Sequence, residues 1–364
     1  MKLKHLLVIA AFSANGLANA QTADSVVTLL FAGDIMGHDA QIAAAYNDST
    51  KTYDYTQCFR YIRPYIEKAD LAVGNLEVTL AGPPFKGYPQ FSSPDELAVA
   101  VKECGFDIML TTNNHTCDRG FTGVVRTLDV LDSLQIPHTG TFHDSAEWRR
   151  TYPLIYNVKG LKLAFVNYTY GTNELPTPKG TVVNRIVKQN IINDIAAAKR
   201  QNPDLIIACM HWGIEYDTMP NREQMQLAEM LKRQGVDIII GSHPHVLQPM
   251  EMDTAANQLL VYSLGNFVSA QRTAPRDGAA FVNIRLTKRN GQKPKIEAEY
   301  VLTYVHNPTV NGKRLFFIVP VADAETGLIA PIQSNNWGRL HEFAGEAREV
   351  LERNINVPEA SHRK

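Results

Sequence analysis

Short apolar runs alternate along the chain with stretches whose apolar residues recur every third or fourth position. Val26–Ala32, Asp70–Gly74, Phe106–Thr111, Asp204–Met210, Val236–Gly241 and Gln258–Leu264 read as buried strands. Gln57–Lys68, Asp95–Cys104, Gly120–Leu134, Val187–Arg200 and Arg222–Gln234 carry helical spacing between them. Ser93 or Asp95 offers a starting cap for the second of these helices. Pro137 lies just past the end of the third, and Gly235 suits a left-handed cap at the end of the last. Pro153–Val158 and Leu161–Tyr168 read as strands joined by a turn at Gly160. Ala279–Leu286 and Lys295–Val305 alternate as half-exposed strands do. This alternation of strand and helix predicts an α/β layered fold, and the late strands predict that part of the sheet is antiparallel. The pattern weakens after residue 306, until Trp337–Glu352 reads as a closing helix. The expected organisation is a leader over residues 1–20, one large domain over 21–306 and a C-terminal extension over 307–364.

The leader reads as a cleavable secretory signal. Lys2 and Lys4 precede the apolar run Leu6–Phe12, and Ala18-Asn19-Ala20 supplies small residues at a cleavage spacing. No cysteine follows the cut to take a lipid anchor. The expected location is therefore secreted or periplasmic, with no transmembrane segment in the mature chain. Charge adds an exclusion: 36 Lys+Arg stand against 37 Asp+Glu, a net charge of -1. Such a balance gives no broad electrostatic grip on nucleic acid. An exported chain meets an oxidising compartment. Even so, Cys58, Cys104, Cys117 and Cys209 show no metal spacing and read as buried thiols rather than a bridge.

Polar residues fall where the apolar strands stop. Asp34 and His38 follow the first strand, and Asn75 and Glu77 the second. Asn113, Asn114 and His115 follow the third, with Asp118 just beyond. His211 and Glu215 follow Ile206-Ile207-Ala208, and His243 and His245 follow Ile238-Ile239-Ile240. In open α/β sheets the carboxyl ends of the strands form the ligand crevice. Imidazole nitrogens and carboxylate oxygens in one place suit Mn, Zn or Fe, as one or two divalent ions. A carboxylate such as Glu77 can bridge two cations, and a spare imidazole such as His115 can protonate a leaving group. Glu215 reads as a ligand, a base or a partner that orients a histidine. Trp212 reads as a pocket wall or a packing residue. Asn266 reads as a turn residue or a site residue, and Asp118 as a carboxylate behind the ligands.

Six motifs in order then resemble one family. They are Gly33-Asp34-Ile35-Met36, Gly74-Asn75-Leu76-Glu77, Asn113-Asn114-His115 with Asp118 and Gly120, His211-Trp212-Gly213-Ile214-Glu215-Tyr216, Gly241-Ser242-His243-Pro244-His245 and Tyr262-Ser263-Leu264-Gly265-Asn266-Phe267. Over residues 26–270 the chain resembles the CapA family of capsule-synthesis, or poly-γ-glutamate-synthesis, proteins, whose core is related to calcineurin-like metallophosphoesterases. The resemblance implies a metallophosphatase-like β-sandwich flanked by helices, in four layers α/β/β/α, with metals at the strand ends. It also implies roles: Asp34 and His38 as a first ligand pair, Glu77 as the bridging carboxylate and Asn114 as an amide ligand. His115 would be the acid beside it, His211 an isolated ligand, and His243 and His245 a closing pair. The chain departs from the usual phosphatase pattern twice, in placing His38 four residues after Asp34 and in using Glu77 for the bridging aspartate.

The expected function is exported and tied to synthesis or export of a capsule or poly-γ-glutamate-type polymer. The chain would act as a metal-dependent, hydrolase-like enzyme with His115 and Glu215 in catalytic roles. The alternatives are a non-catalytic accessory protein that binds an anionic cell-surface polymer, and metal-assisted proton abstraction without ester cleavage. Expected partners are a cell-envelope polymer or its precursor and components of a polymer synthase or exporter.

Overall fold

Two sheets face each other, and the alternation of each strand sorts its side chains between the two faces. A computed structural model describes residues 25–289, 291–332 and 337–360. The leader expected over residues 1–20 lies outside them. The first sheet has seven strands, in the order Phe317–Pro320, Lys295–His306, Gly278–Lys288, Ser25–Ile35, Leu71–Leu76, Ile108–Leu110 and His138–Thr139. The second has six, in the order Leu247–Asp253, Gln258–Leu264, Ile238–Ser242, Leu205–His211, Leu161–Thr169 and Leu154–Val158.

Leu29, Phe31 and Val73 from the first sheet meet Phe165, Ile207 and Ile240 from the second in one core. Their neighbours in sequence point the other way. Leu30, Ala72 and Met109 pack under Leu97, Val101 and Leu131 of the first helical layer. Val166, Ala208 and Ile239 pack under Ile191, Ile195, Leu227 and Leu231 of the second. The result is the expected α/β/β/α layering. The helix Gly338–Leu351 adds Leu340, Phe343, Ala347 and Leu351 to the core between the sheets. Beyond it, Ile355 donates its N–H to Met250 O at 2.9 Å and Ala360 to Tyr300 O at 2.7 Å.

Ser25–Ile35 runs parallel to Leu71–Leu76, which runs parallel to Ile108–Leu110. Leu205–His211, Ile238–Ser242 and Gln258–Leu264 are likewise parallel in the second sheet. Each sheet therefore presents several strand carboxyl ends along one edge. The two edges are stitched together by backbone bonds. Asp34 N–H donates to Gly265 O at 3.0 Å, Val268 N–H to Asp34 O at 3.1 Å, and Met36 N–H to Val268 O at 2.9 Å. This close approach needs Gly33, because a Cβ there would lie 2.1 Å from Gly265 O. The antiparallel part is the expected one: Gly278–Lys288 pairs antiparallel with both Ser25–Ile35 and Lys295–His306.

Some local expectations change. Gln57–Lys68 is not one helix but two short ones, Thr56–Phe59 and Arg63–Ile66. Pro64 lacks an N–H and crowds the preceding turn, so a new helix starts beside it. Asp95 makes no side-chain cap, because its carboxylate is held by Arg126 at 2.6 and 2.7 Å. Gly235 does take the left-handed conformation, at φ +81°. All four cysteines are buried free thiols.

Candidate metal centre

The strand ends deliver their polar residues to one cleft. Asp34, Asn75, Glu77, Asn114, His211, His243 and His245 are all buried. Glu77, His211 and His243 each offer a donor atom, all within 4.8 Å of one another, and the same holds for Asp34, Glu77 and His245. Glu77 belongs to both groups. The two groups draw on five of the seven ligands expected from sequence. Asn114 joins them by a 2.7 Å contact of its Oδ1 with His211 Nε2. His38 is in neither group. It is half-buried, its Nδ1 lies 3.1 Å from Gln41 Oε1, and its ring meets Phe91 edge-on at 5.3 Å.

The electrostatics suit cations. Both oxygens of Glu77 are buried and have no hydrogen-bond partner, and Nδ1 of His243 has none either. An unpartnered buried carboxyl costs ~1–3 kcal/mol, a cost that a bound cation can offset. Burial, and then the Asp34 carboxylate beside it, push Glu77 well above the usual carboxylate range. Burial and neighbouring imidazoles push His211 well below its ordinary value and His243 down to about 3. Burial brings His38 down to about 4 against the pull of its Gln41 hydrogen bond. These imidazoles are neutral at pH 7, the form that ligates a metal.

Surrounding amides fix the ligands. Asn75 Nδ2 donates to Asp34 Oδ1 at 2.8 Å and faces His211 Nδ1 at 3.4 Å. Asn266 Oδ1 lies 3.0 Å from His245 Nδ1, and its Nδ2 donates to His245 O at 3.3 Å. Asp34 Oδ2 is also 3.2 Å from that Nδ1. Both partners sit on Nδ1, which leaves His245 Nε2 facing Glu77 Oε1 at 3.8 Å. Outer partners of this kind set tautomer and ring direction. The backbone adds strain, since His243 and His245 have φ of +100° and +59°. Non-glycine residues in such conformations cost ~1–3 kcal/mol each and cluster at functional sites.

His115 stands beside the donors. Its Nδ1 lies 2.8 Å from Asp118 Oδ2, and Phe91 packs edge-on against its ring at 4.6 Å. The same Asp118 oxygen accepts Phe91 N–H at 2.7 Å. Burial pushes Asp118 up, against the pull of His115. Glu215 is exposed on the loop after Trp212, though its charge reaches Glu77. Trp212 is buried in the helix-covered core and donates Nε1–H to Tyr262 O at 2.9 Å.

Other residues around the cleft were given no site role from the sequence, although Tyr216 closes the motif that begins at His211. Tyr170 lies 4.5 Å from the His243 ring, and Tyr216 lies 6.2 Å from the His245 ring. Asn173 Oδ1 accepts from Asn114 Nδ2 at 3.3 Å. Both tyrosines sit in loops; Tyr216 could have been marked by its place in the His211 motif, and Tyr170 carried no such signal. Asn173 has φ +48°, a conformation asparagine tolerates.

Residues 28–271 match the family described as Bacterial capsule synthesis protein PGA_cap. The chain is 31% identical over 276 residues to a Capsule biosynthesis protein CapA of Bacillus anthracis, covering 71% of this chain and 64% of that protein. It is 29% identical to a PGA biosynthesis protein CapA of Bacillus subtilis (strain 168), covering 74% of this chain and 70% of that one. Among solved structures, the NAD nucleotidase NadN of Haemophilus influenzae aligns with a TM-score of 0.46 at 12% identity, covering 90% of this chain and 60% of that one. A 5'-nucleotidase of Candida albicans SC5314 aligns with a TM-score of 0.43 at 10% identity, covering 89% and 57%. The family match spans most of the chain and includes every strand end that feeds the cleft, so the chain belongs to the bacterial capsule synthesis protein family PGA_cap.

Proposed function

We propose that this chain is an exported, metal-dependent, hydrolase-like protein serving synthesis or export of a capsule or poly-γ-glutamate-type polymer. The polymer role rests on the family and on the names of the two Bacillus relatives. Export rests on the leader pattern in residues 1–20. Among the described residues no helix is long and apolar enough to cross a membrane. The chemistry rests on one observation: the buried, unpartnered carboxyl of Glu77, shared by two groups of donors.

In this reading Asp34, Glu77, His211, His243 and His245 hold one or two divalent ions of Mn, Zn or Fe, with Asn114 and His38 as further ligands. When bound, such an ion supplies Lewis acidity and an activated water. The chain supplies the rest. Asp118 holds the His115 ring through Nδ1, which leaves Nε2 as the atom that gives a proton to a leaving oxygen. Asn266 and Asp34 keep His245 turned so that Nε2 faces Glu77. Asn75 holds Asp34. Tyr170 and Tyr216 wall the cleft, and Glu215 at its rim serves as the base. Buried Trp212 supports the loop from behind.

The test is metal analysis of purified mature protein, followed by a panel of phosphoesters and γ-glutamyl polymers with the metal found. Bound Mn, Zn or Fe with turnover that is lost in His115→Asn supports the reading. Metal without turnover on any substrate moves the protein to the accessory, polymer-binding role.

A further inference from the structure

The loop between Asn266 and Gly278 brings to the cleft a cation that forms no ion pair among the described residues. Arg276 lies with its guanidinium carbon 3.2 Å from the centroid of the Tyr216 ring. Its neighbours' charges are used elsewhere. Asp277 is committed to Arg339 at 2.8 Å and to Arg272 at 3.7 Å. The charge of Glu215 falls on Tyr216, whose hydroxyl burial and then that carboxylate push up. None of the ion pairs among the described residues uses Arg276, and its Nε is buried without a hydrogen-bond partner.

The backbone ties this arginine to the candidate metal centre. Arg276 O accepts from Asn266 Nδ2 at 2.8 Å, and the same amide presents Oδ1 to His245 Nδ1 at 3.0 Å. Tyr216 donates its N–H to Pro244 O at 2.8 Å, next to His245. The Asn266 amide and the Pro244 carbonyl next to His245 therefore hold the stacked Tyr216–Arg276 pair at one side of the cleft. Tyr170 lies over the His243 ring at 4.5 Å. A stacked guanidinium keeps its edge N–H groups free in one plane, the geometry that grips a carboxylate or phosphate with two parallel hydrogen bonds.

We propose that Arg276, stacked on Tyr216, is a substrate-positioning residue that binds an oxyanion of the substrate beside the candidate metal centre. The proposal rests on the metal-dependent reading of the cleft and names the substrate class as anionic. The oxyanion is either a side-chain carboxylate of a γ-linked glutamyl chain or a phosphoryl group.

Calorimetric titration of inorganic phosphate and of a γ-linked oligoglutamate separates these sources. It is run on EDTA-treated and Mn²⁺-loaded wild type, Arg276→Lys and Arg276→Gln, with bound Mn²⁺ and melting temperature measured alongside. A charge-assisted bidentate contact is worth roughly 10–100-fold in affinity. The expected result is that Arg276→Gln loses about that much for one or both anions. Arg276→Lys should fall between, because an ammonium keeps the charge but not the fork. Mn²⁺ content and melting temperature should stay near wild type. A loss confined to oligoglutamate assigns the carboxylate, and a loss that includes phosphate assigns the phosphoryl group. Wild-type affinity for both anions in Arg276→Gln, or binding of neither anion by wild type, overturns the proposal. Failure of the wild type to take up Mn²⁺ would count against the metal-dependent reading alone, because the EDTA-treated arm still tests Arg276.

Discussion

Replacing Glu77 by Gln should move stability in opposite directions with and without metal. In EDTA the wild-type protein carries a buried carboxyl whose two oxygens have no hydrogen-bond partner and which faces the Asp34 carboxylate. The amide would keep the shape, remove the charge and add an N–H₂ group beside Asp34. Relief of an unpartnered buried group is worth ~1–3 kcal/mol. At ~2–4 °C per kcal/mol for a domain somewhat smaller than this one, Glu77→Gln should melt roughly 2–12 °C higher in EDTA. With Mn²⁺ or Zn²⁺ at about 100 times its Kd, wild type gains ~2.7 kcal/mol from binding, whereas the variant lacks the shared ligand and gains little. The two therefore exchange rank on adding metal. The pH dependence has a definite sign. Unfolded Glu77 ionises near ~4.3, whereas burial and Asp34 raise the folded value well above this. Between the two values the folded state binds more protons, so wild-type stability in EDTA falls as pH rises through that window. An amide has no such slope, and the advantage of the variant should be larger at about pH 7.5 than at about pH 4.5. Scanning fluorimetry or calorimetry across pH, with EDTA or metal, measures all of this. A variant less stable than wild type in EDTA at every pH, or one that gains as much from metal as wild type, refutes the reasoning.

His115→Asn should leave metal content near normal and lower turnover by ~10²–10⁴-fold, whereas Asn114→Ala should lower metal occupancy; the reverse pattern by metal analysis and kinetics would exchange their roles. Asn266→Ala removes the partner that directs His245 and should weaken metal affinity ~10–100-fold with an unchanged far-UV spectrum, a value that competitive chelator titration would read directly. Phe343→Ala empties a fully buried ring between the sheets and should cost ~3–5 kcal/mol in denaturant unfolding; a loss below ~1 kcal/mol would mean that the C-terminal helix stands apart from the core.

Much of the cleft was legible because its residues sit directly after apolar strands. Asp34, Asn75, Glu77, His211, His243 and His245 are placed by strands whose burial leaves a clear signature in sequence. The strand Leu247–Asp253 was not legible. It lies at the edge of its sheet, and Pro249 interrupts its pattern, which an edge strand tolerates. Pro64 similarly divided a region whose apolar spacing alone suggested one helix. Tyr170, Asn173, Tyr216 and Arg276 lie in loops without periodicity, and only tertiary contacts bring them to the histidines. Trp212 sits inside a conspicuous motif yet packs into the core, since its spacing after His211 turns the indole under the helical layer.

The central claim is that Glu77 joins two groups of donors around metal. Anomalous diffraction from crystals of the protein soaked in Mn²⁺ tests it most directly, with data collected on both sides of the manganese edge. The account predicts one or two anomalous peaks in contact with Glu77, one toward His211 and His243 or one toward Asp34 and His245, and their disappearance in Glu77→Gln crystals. A map with no peak at Glu77, or with peaks that persist unchanged in the variant, would contradict it.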